Sequence, residues 1–97
     1  MARVSKVPVA ARSTDGQIYT GSGTLMGFAL REAAGTPAAA TMVLRDGTST
    51  AGDMIAPVNF TASQSAREWY GPQGIPFNSG IFWDAGTGTV EGVLYIG

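Results

Sequence analysis

Apolar residues in this chain recur at every second position, in runs of four to eight residues bounded by turn chemistry, and no stretch keeps a helical period. Fourteen glycines and five prolines divide its 97 residues into short pieces. Such alternation places one side of an extended segment on a core and the other in solvent, which is the pattern of half-buried strands. Met26, Phe28 and Leu30 fall on one face, opposite Leu25, Gly27 and Ala29. Met42 and Leu44 alternate with Val43 and Arg45, and Val58 and Phe60 with Pro57 and Asn59. Ile81 and Trp83 form another such set, and Leu94 and Ile96 close the series. These eleven apolar residues are the expected core. Pro57 suits an edge strand, because proline cannot donate to a ladder.

The turns are equally legible. Asp15-Gly16 and Asp46-Gly47 are hairpin-type dipeptides. Ala85-Gly86-Thr87-Gly88 separates two strand patterns, so the C-terminal segment is expected to be a β-hairpin. Gly71-Pro72-Gln73-Gly74-Ile75-Pro76 reads as a loop, with Gly71 and Gly74 in conformations that a Cβ would strain. The alanine-rich stretch 33–40 is broken by Gly35 and Pro37 and reads as a loop entering a strand. Ser65 and Glu68 have capping-box spacing, yet Trp69 and Tyr70 are good strand formers and the segment is short, so strand is preferred. About seven or eight strands at spacings near 8–12 residues point to an all-β antiparallel sandwich, immunoglobulin-like or jelly-roll-like.

Ninety-seven residues make one domain. Charged residues are 13% of the chain, against about 25% in a typical soluble domain. The formal net charge is −1, which leaves little self-repulsion between copies. Low charge therefore favours association. Cysteine and histidine are both absent, which removes disulfides, Cys/His zinc sites and the usual general base near neutral pH. The seven acids are dispersed, and the serines have no histidine to activate them. No catalytic, cofactor or metal site is expected. No apolar run reaches the roughly 18–20 residues of a membrane span, and the N-terminus has no continuous apolar h-region.

Charge position is more informative than charge total. Arg3, Lys6 and Arg12 put three of the six cations in the first twelve residues, which contain no acid. Residues 1–12 are therefore expected to form a basic arm on an acidic body spanning 13–97. The arm is expected to become a strand against a partner, because Val4, Val7 and Val9 alternate with the cations. Removing it is expected to leave the sandwich folded. Trp69, Tyr70, Phe77, Phe82 and Trp83 form a late aromatic cluster, suited to core and inter-subunit packing or to a carbohydrate-stacking surface. The candidate partner-binding residues are thus Arg3, Lys6, Arg12, Trp69 and Tyr70. A nucleic-acid platform would need more interleaved cations than Arg67 alone, so no specific nucleic-acid partner is expected.

Leu44-Arg-Asp-Gly47, Ala66-Arg-Glu-Trp-Tyr-Gly-Pro-Gln-Gly-Ile-Pro-Phe77, Ser79-Gly-Ile-Phe82 and Gly88-Thr-Val-Glu-Gly-Val-Leu-Tyr95 together resemble a pattern in small structural proteins of tailed bacteriophages. In those proteins a strand ends in Asp-Gly, a Trp/Phe-Gly-Pro loop precedes Gly-Ile-x-Phe, and a Gly-x-Val-x-Gly strand closes the domain. The likeness covers about residues 40–97. It implies a non-enzymatic virion component, a head decoration (cement) or minor capsid protein that assembles in the host cytoplasm and binds the major capsid protein. It also implies an oligomer, with a trimer as first expectation, and supplies no catalytic residue. The competing expectations are a carbohydrate- or cell-surface-binding module and a phage tail component.

Overall fold

The alternating segments become nine strands in the computed structural model, which describes residues 4–97. They are β1 (Ser5–Arg12), β2 (Gly16–Thr20), β3 (Gly23–Glu32), β4 (Ala40–Asp46), β5 (Asp53–Phe60), β6 (Ser65–Trp69), β7 (Ile75–Phe77), β8 (Gly80–Ala85) and β9 (Val90–Ile96). One antiparallel sheet has the order β1-β9-β3-β6, with β7 also paired to β3, and the other has the order β2-β8-β4-β5. Two positive-φ glycines, Gly71 at 87° and Gly74 at 61°, lie between β6 and β7 and divide what would otherwise be one long strand beside β3. That division explains why nine strands stand where seven or eight were expected. Pro57 lies on β5, the edge of its sheet, as its missing donor requires.

The pairs β1:β9, β2:β8, β3:β6/β7 and β4:β5 are nested, first strand with last. A ribbon folded at the β4–β5 turn and rolled up gives this arrangement of two layers, of five and four strands with β6 and β7 sharing one position beside β3, which is jelly-roll connectivity. Almost every connection therefore crosses between the layers, and two expectations change. The segments flanking Ala85–Gly88 do not form a hairpin: β8 belongs to one sheet and β9 to the other. Asp15-Gly16 likewise joins β1 and β2 across the sandwich. Turn chemistry reverses the chain in both places, but burial of opposite apolar faces decides which layer receives the next strand.

The N-terminal segment also differs from the expected arm. Ser5–Arg12 is a strand of the sandwich itself, antiparallel to β9, with Ser5 opposite Ile96 and Val9 opposite Gly92. Its alternation does serve strand pairing, but the partner is the chain's own C-terminal strand, because Val9 is needed to close the core at 5% exposure. A domain boundary at residue 12 is absent.

All eleven expected core residues are buried, none above 7% exposure. Ten of them join Val9, Leu25, Phe77 and Val90 in one cluster between the layers. Met26 is buried outside that cluster. The register of β3 against β9 shifts between Leu25 and Gly27, so Leu25 turns inward with Phe28 and Leu30 while Met26 turns away. Leu25 is completely inaccessible.

Glu32, the one buried charged residue among those described, ties two loops together. Its carboxylate accepts 2.7 Å bonds from the backbone N–H groups of Ser63 and Ala34. These bonds hold its pKa below the ordinary value of 4.5, with the Ser63 bond the larger cause, against an opposing effect of desolvation. Asp46 accepts from the backbone N–H groups of Asn78 and Ser79, and Asp15 from Ala85. Asp84 pairs with Arg45. Much of the chain's negative charge is thus engaged inside the fold.

Candidate functional site

The outer surface of the β1-β9-β3-β6 sheet is set by pairs that lie directly opposite one another. Lys6 faces Tyr95, Tyr95 faces Gly27, and Gly27 faces Trp69, so four strands contribute one row. The next row is Pro8, Val93, Ala29 and Arg67. A third contains Glu91, Arg31 and Ser65. Large groups stand on β6 and β9, while the intervening β3 offers only Gly27 and Ala29. The result is a groove with a floor of glycine and alanine between two aromatic side chains, whose parent strands lie about 10 Å apart.

Gly27 is required for this geometry. A Cβ there would collide with the Glu68 carbonyl and come within 3.1 Å of Cε3 of the Trp69 ring. The indole therefore leans over the glycine, covering backbone that has no side chain of its own, while Trp69 remains 59% exposed. The resulting cavity measures about 630 Å³, bounded by Phe28, Ala29, Arg67, Glu68, Trp69 and Tyr95. A smaller depression of about 180 Å³ continues along the sheet past Ala29 and Arg67 toward Arg31 and Glu91.

The electrostatics of this face are opposite to those of the whole chain. Lys6, Arg31 and Arg67 share the surface with one paired carboxylate, Glu91, which bridges Arg31 at 3.0 Å. Among the described residues neither Lys6 nor Arg67 has an ion-pair partner. Cations far apart in sequence thus meet on one face, while Asp15, Glu32 and Asp46 are consumed in turns elsewhere.

The candidate residues read from sequence separate into distinct environments. Lys6 and Trp69 share the grooved face, at opposite ends of one row. Arg12 is turned inward by the register shift between Val9 and Arg12; its Nε and Nη2 donate to the carbonyls of Thr14 and Asp15. Its guanidinium carbon stands 6.0 Å from the centre of the Trp83 ring, a cation–π position. Tyr70 points to the core side of β3, edge-on to Phe28 at 6.4 Å. Burial raises its pKa, and the Glu68 charge raises it further. Arg3 lies outside the described residues. Phe77 and Trp83 are core residues at 2% and 1% exposure.

Tyr95, Gly27 and Arg31 complete the groove but were not singled out from sequence. Tyr95 does fall on the polar side of the β9 alternation, and an aromatic in that position is the one local signal that pointed to it.

The opposite surface, on β2-β8-β4-β5, has another character. Val43 faces Pro57 and Asp84, and Arg45 faces Phe82 and Met54. Its ion pair is matched within the sheet: Arg45 Nε lies 2.7 Å from Asp84 Oδ2, and Nη1 donates to the Gly52 carbonyl. Thr41 and Asn59 continue the surface without adding charge. Met54 is 55% exposed.

Comparison with known protein families, with curated proteins and with solved structures gives no match to this chain.

Proposed function

We propose that this protein is a non-enzymatic structural component of a virus particle, a decoration protein that docks on the outer capsid lattice through the outer face of its β2-β8-β4-β5 sheet. The observation that carries the reading is the matched, largely apolar character of that face. Covering it removes Val43, Pro57, Phe82 and Met54 from water, while Arg45 keeps both Asp84 and the Gly52 carbonyl as partners. No charge on the face is therefore desolvated alone, which is the expensive way to bury one. Methionine and aromatic residues are also the types enriched at protein contacts, where unpaired Lys and acids are depleted. The other face is less suited to the role, because Lys6 and Arg67 would lose solvent without gaining a partner.

The likeness of residues 40–97 to small phage structural proteins and the low charge of the chain support the same assignment. So does jelly-roll connectivity, an architecture used by viral capsid domains as well as lectins. Four strands of about seven residues present a face of about 19 by 23 Å, smaller than the roughly 800 Å² per partner of a standard stable interface. Single contacts are accordingly weak, and binding becomes strong when an oligomer engages several equivalent lattice positions together. The major capsid protein and other copies of the chain are the partners this reading names.

The test is decoration of purified virions by native protein and by the double variant Val43→Lys, Met54→Lys. Both changes lie on the outer surface, so the circular dichroism spectrum should be preserved. Cosedimentation with particles should be lost. Decoration by the double variant equal to that by native protein would eliminate this face as the docking surface. Absence of the native chain from purified particles would eliminate the virion assignment.

A further inference from the structure

We infer that the groove on the outer face of the β1-β9-β3-β6 sheet is a saccharide-binding site, with an acidic pyranose, of the hexuronic acid type, as its ligand. This goes beyond the docking role and uses the opposite face of the sandwich. A protein lying on a lattice by one layer presents the other to the surroundings.

The argument begins with the exposed indole. A tryptophan at 59% exposure on a sheet face sacrifices burial that the same ring achieves at position 83. Gly27 gives the ring a firm support and keeps the space beside it open, since any larger residue would meet the Glu68 carbonyl and the indole. Tyr95, on the far side of Gly27, supplies a second aromatic with a polar tip. Two aromatic groups flanking a small-residue floor accept a ring with apolar C–H faces and polar edges, which describes a pyranose. The cavity of about 630 Å³ lies within the roughly 300–1,000 Å³ of small-ligand sites.

The polar groups refine the choice. Arg67 lies two residues before Trp69 on the same side of β6, hence about 7 Å along the strand. It faces the floor at Ala29. Its planar guanidinium is suited to a carboxylate held by two parallel hydrogen bonds, and Lys6 provides a second unpaired cation beside Tyr95. An acidic sugar stacked on Trp69 thus finds countercharge at one edge. Glu91 in the continuing depression provides an acceptor for hydroxyl groups, and the depression offers room for a following sugar unit. That carboxylate also argues against nucleic acid. A phosphate backbone offers no hydroxyl array for it and is tracked by continuous positive charge.

The experiment is nuclear magnetic resonance titration of the full chain with alginate hexasaccharide, with cellohexaose as neutral control and a thymidine hexanucleotide as nucleic-acid control. The Trp69 indole N–H and the amides of Gly27 and Tyr95 should shift with alginate. Trp69→Ala should weaken binding by about tenfold or more, with Trp69→Phe recovering part of it. Arg67→Ala should erase the preference for alginate over cellohexaose. No shift with alginate at millimolar concentration, equal shifts with both saccharides, or preferred binding of the oligonucleotide would each overturn the inference. Failure here leaves the docking assay unaffected, since Val43 and Met54 lie on the other layer.

Discussion

The two tryptophans make a controlled experiment on where the stability of this fold resides. Trp83 is 1% exposed at the centre of the core, and a buried tryptophan removes about 200–250 Å² from water. At about 25 cal/mol per Å² its transfer contribution is about 5 kcal/mol, an upper figure because the unfolded chain already hides some of that surface. Truncation to alanine also leaves a cavity and removes the ring beneath the Arg12 guanidinium, so Trp83→Ala should cost about 3–5 kcal/mol. A domain of this size holds about 5–15 kcal/mol in total, and the variant should therefore melt tens of degrees lower or fail to fold. Trp69, at 59% exposure, hides about two-fifths of its surface, which bounds its transfer contribution at about 2 kcal/mol. Water fills the space it leaves, so no cavity forms, and Trp69→Ala should cost about 1 kcal/mol. Urea unfolding followed by far-ultraviolet circular dichroism measures both, with the slope checking that the unfolded states are comparable. A loss above about 3 kcal/mol for Trp69→Ala, or below about 1 kcal/mol for Trp83→Ala, would refute the placement of the two rings.

Deleting residues 1–12 should destabilise the sandwich by more than about 3 kcal/mol, because Val9 leaves the core and β9 loses one of its two ladder neighbours; unchanged urea unfolding of the truncated chain would return this segment to the status of an arm. Glu32→Gln should lower the melting temperature at neutral pH, since the Ser63 and Ala34 N–H groups lose an ionised acceptor. The folded-state pKa of Glu32 is depressed, so its contribution to stability is present above its unfolded value near 4.5. It is lost as pH falls from there through the lower folded value. Melting temperatures of native and Glu32→Gln protein should therefore converge in acid, and a gap independent of pH would contradict the assigned cause.

Local physics alone accounts for much of this protein's form. Alternation over a few residues identified β3, β4, β5, β8 and β9 and set ten of the eleven predicted core side chains on the inward face, because burial on one face of a pleated segment needs no knowledge of the partner strand. Gly71 and Gly74 were legible for the same reason, since a turn between Trp69 and Phe77 demands backbone that only glycine adopts freely. The exception at Leu25 and Met26 is instructive: a bulge moved the inward face by one residue, and a bulge is dictated by the neighbouring strand. Tertiary structure decided the rest. Asp15-Gly16 and Ala85–Gly88 specify reversal of the chain but not the layer it enters, and Val7 and Val9 show alternation without revealing that their partner is the last strand. Lys6, Gly27, Arg67, Trp69 and Tyr95 come from four strands spread over the whole chain, and no spacing in sequence joins them. Rolling the ribbon into two layers sets those strands side by side, and the antiparallel register turns the five residues to one face.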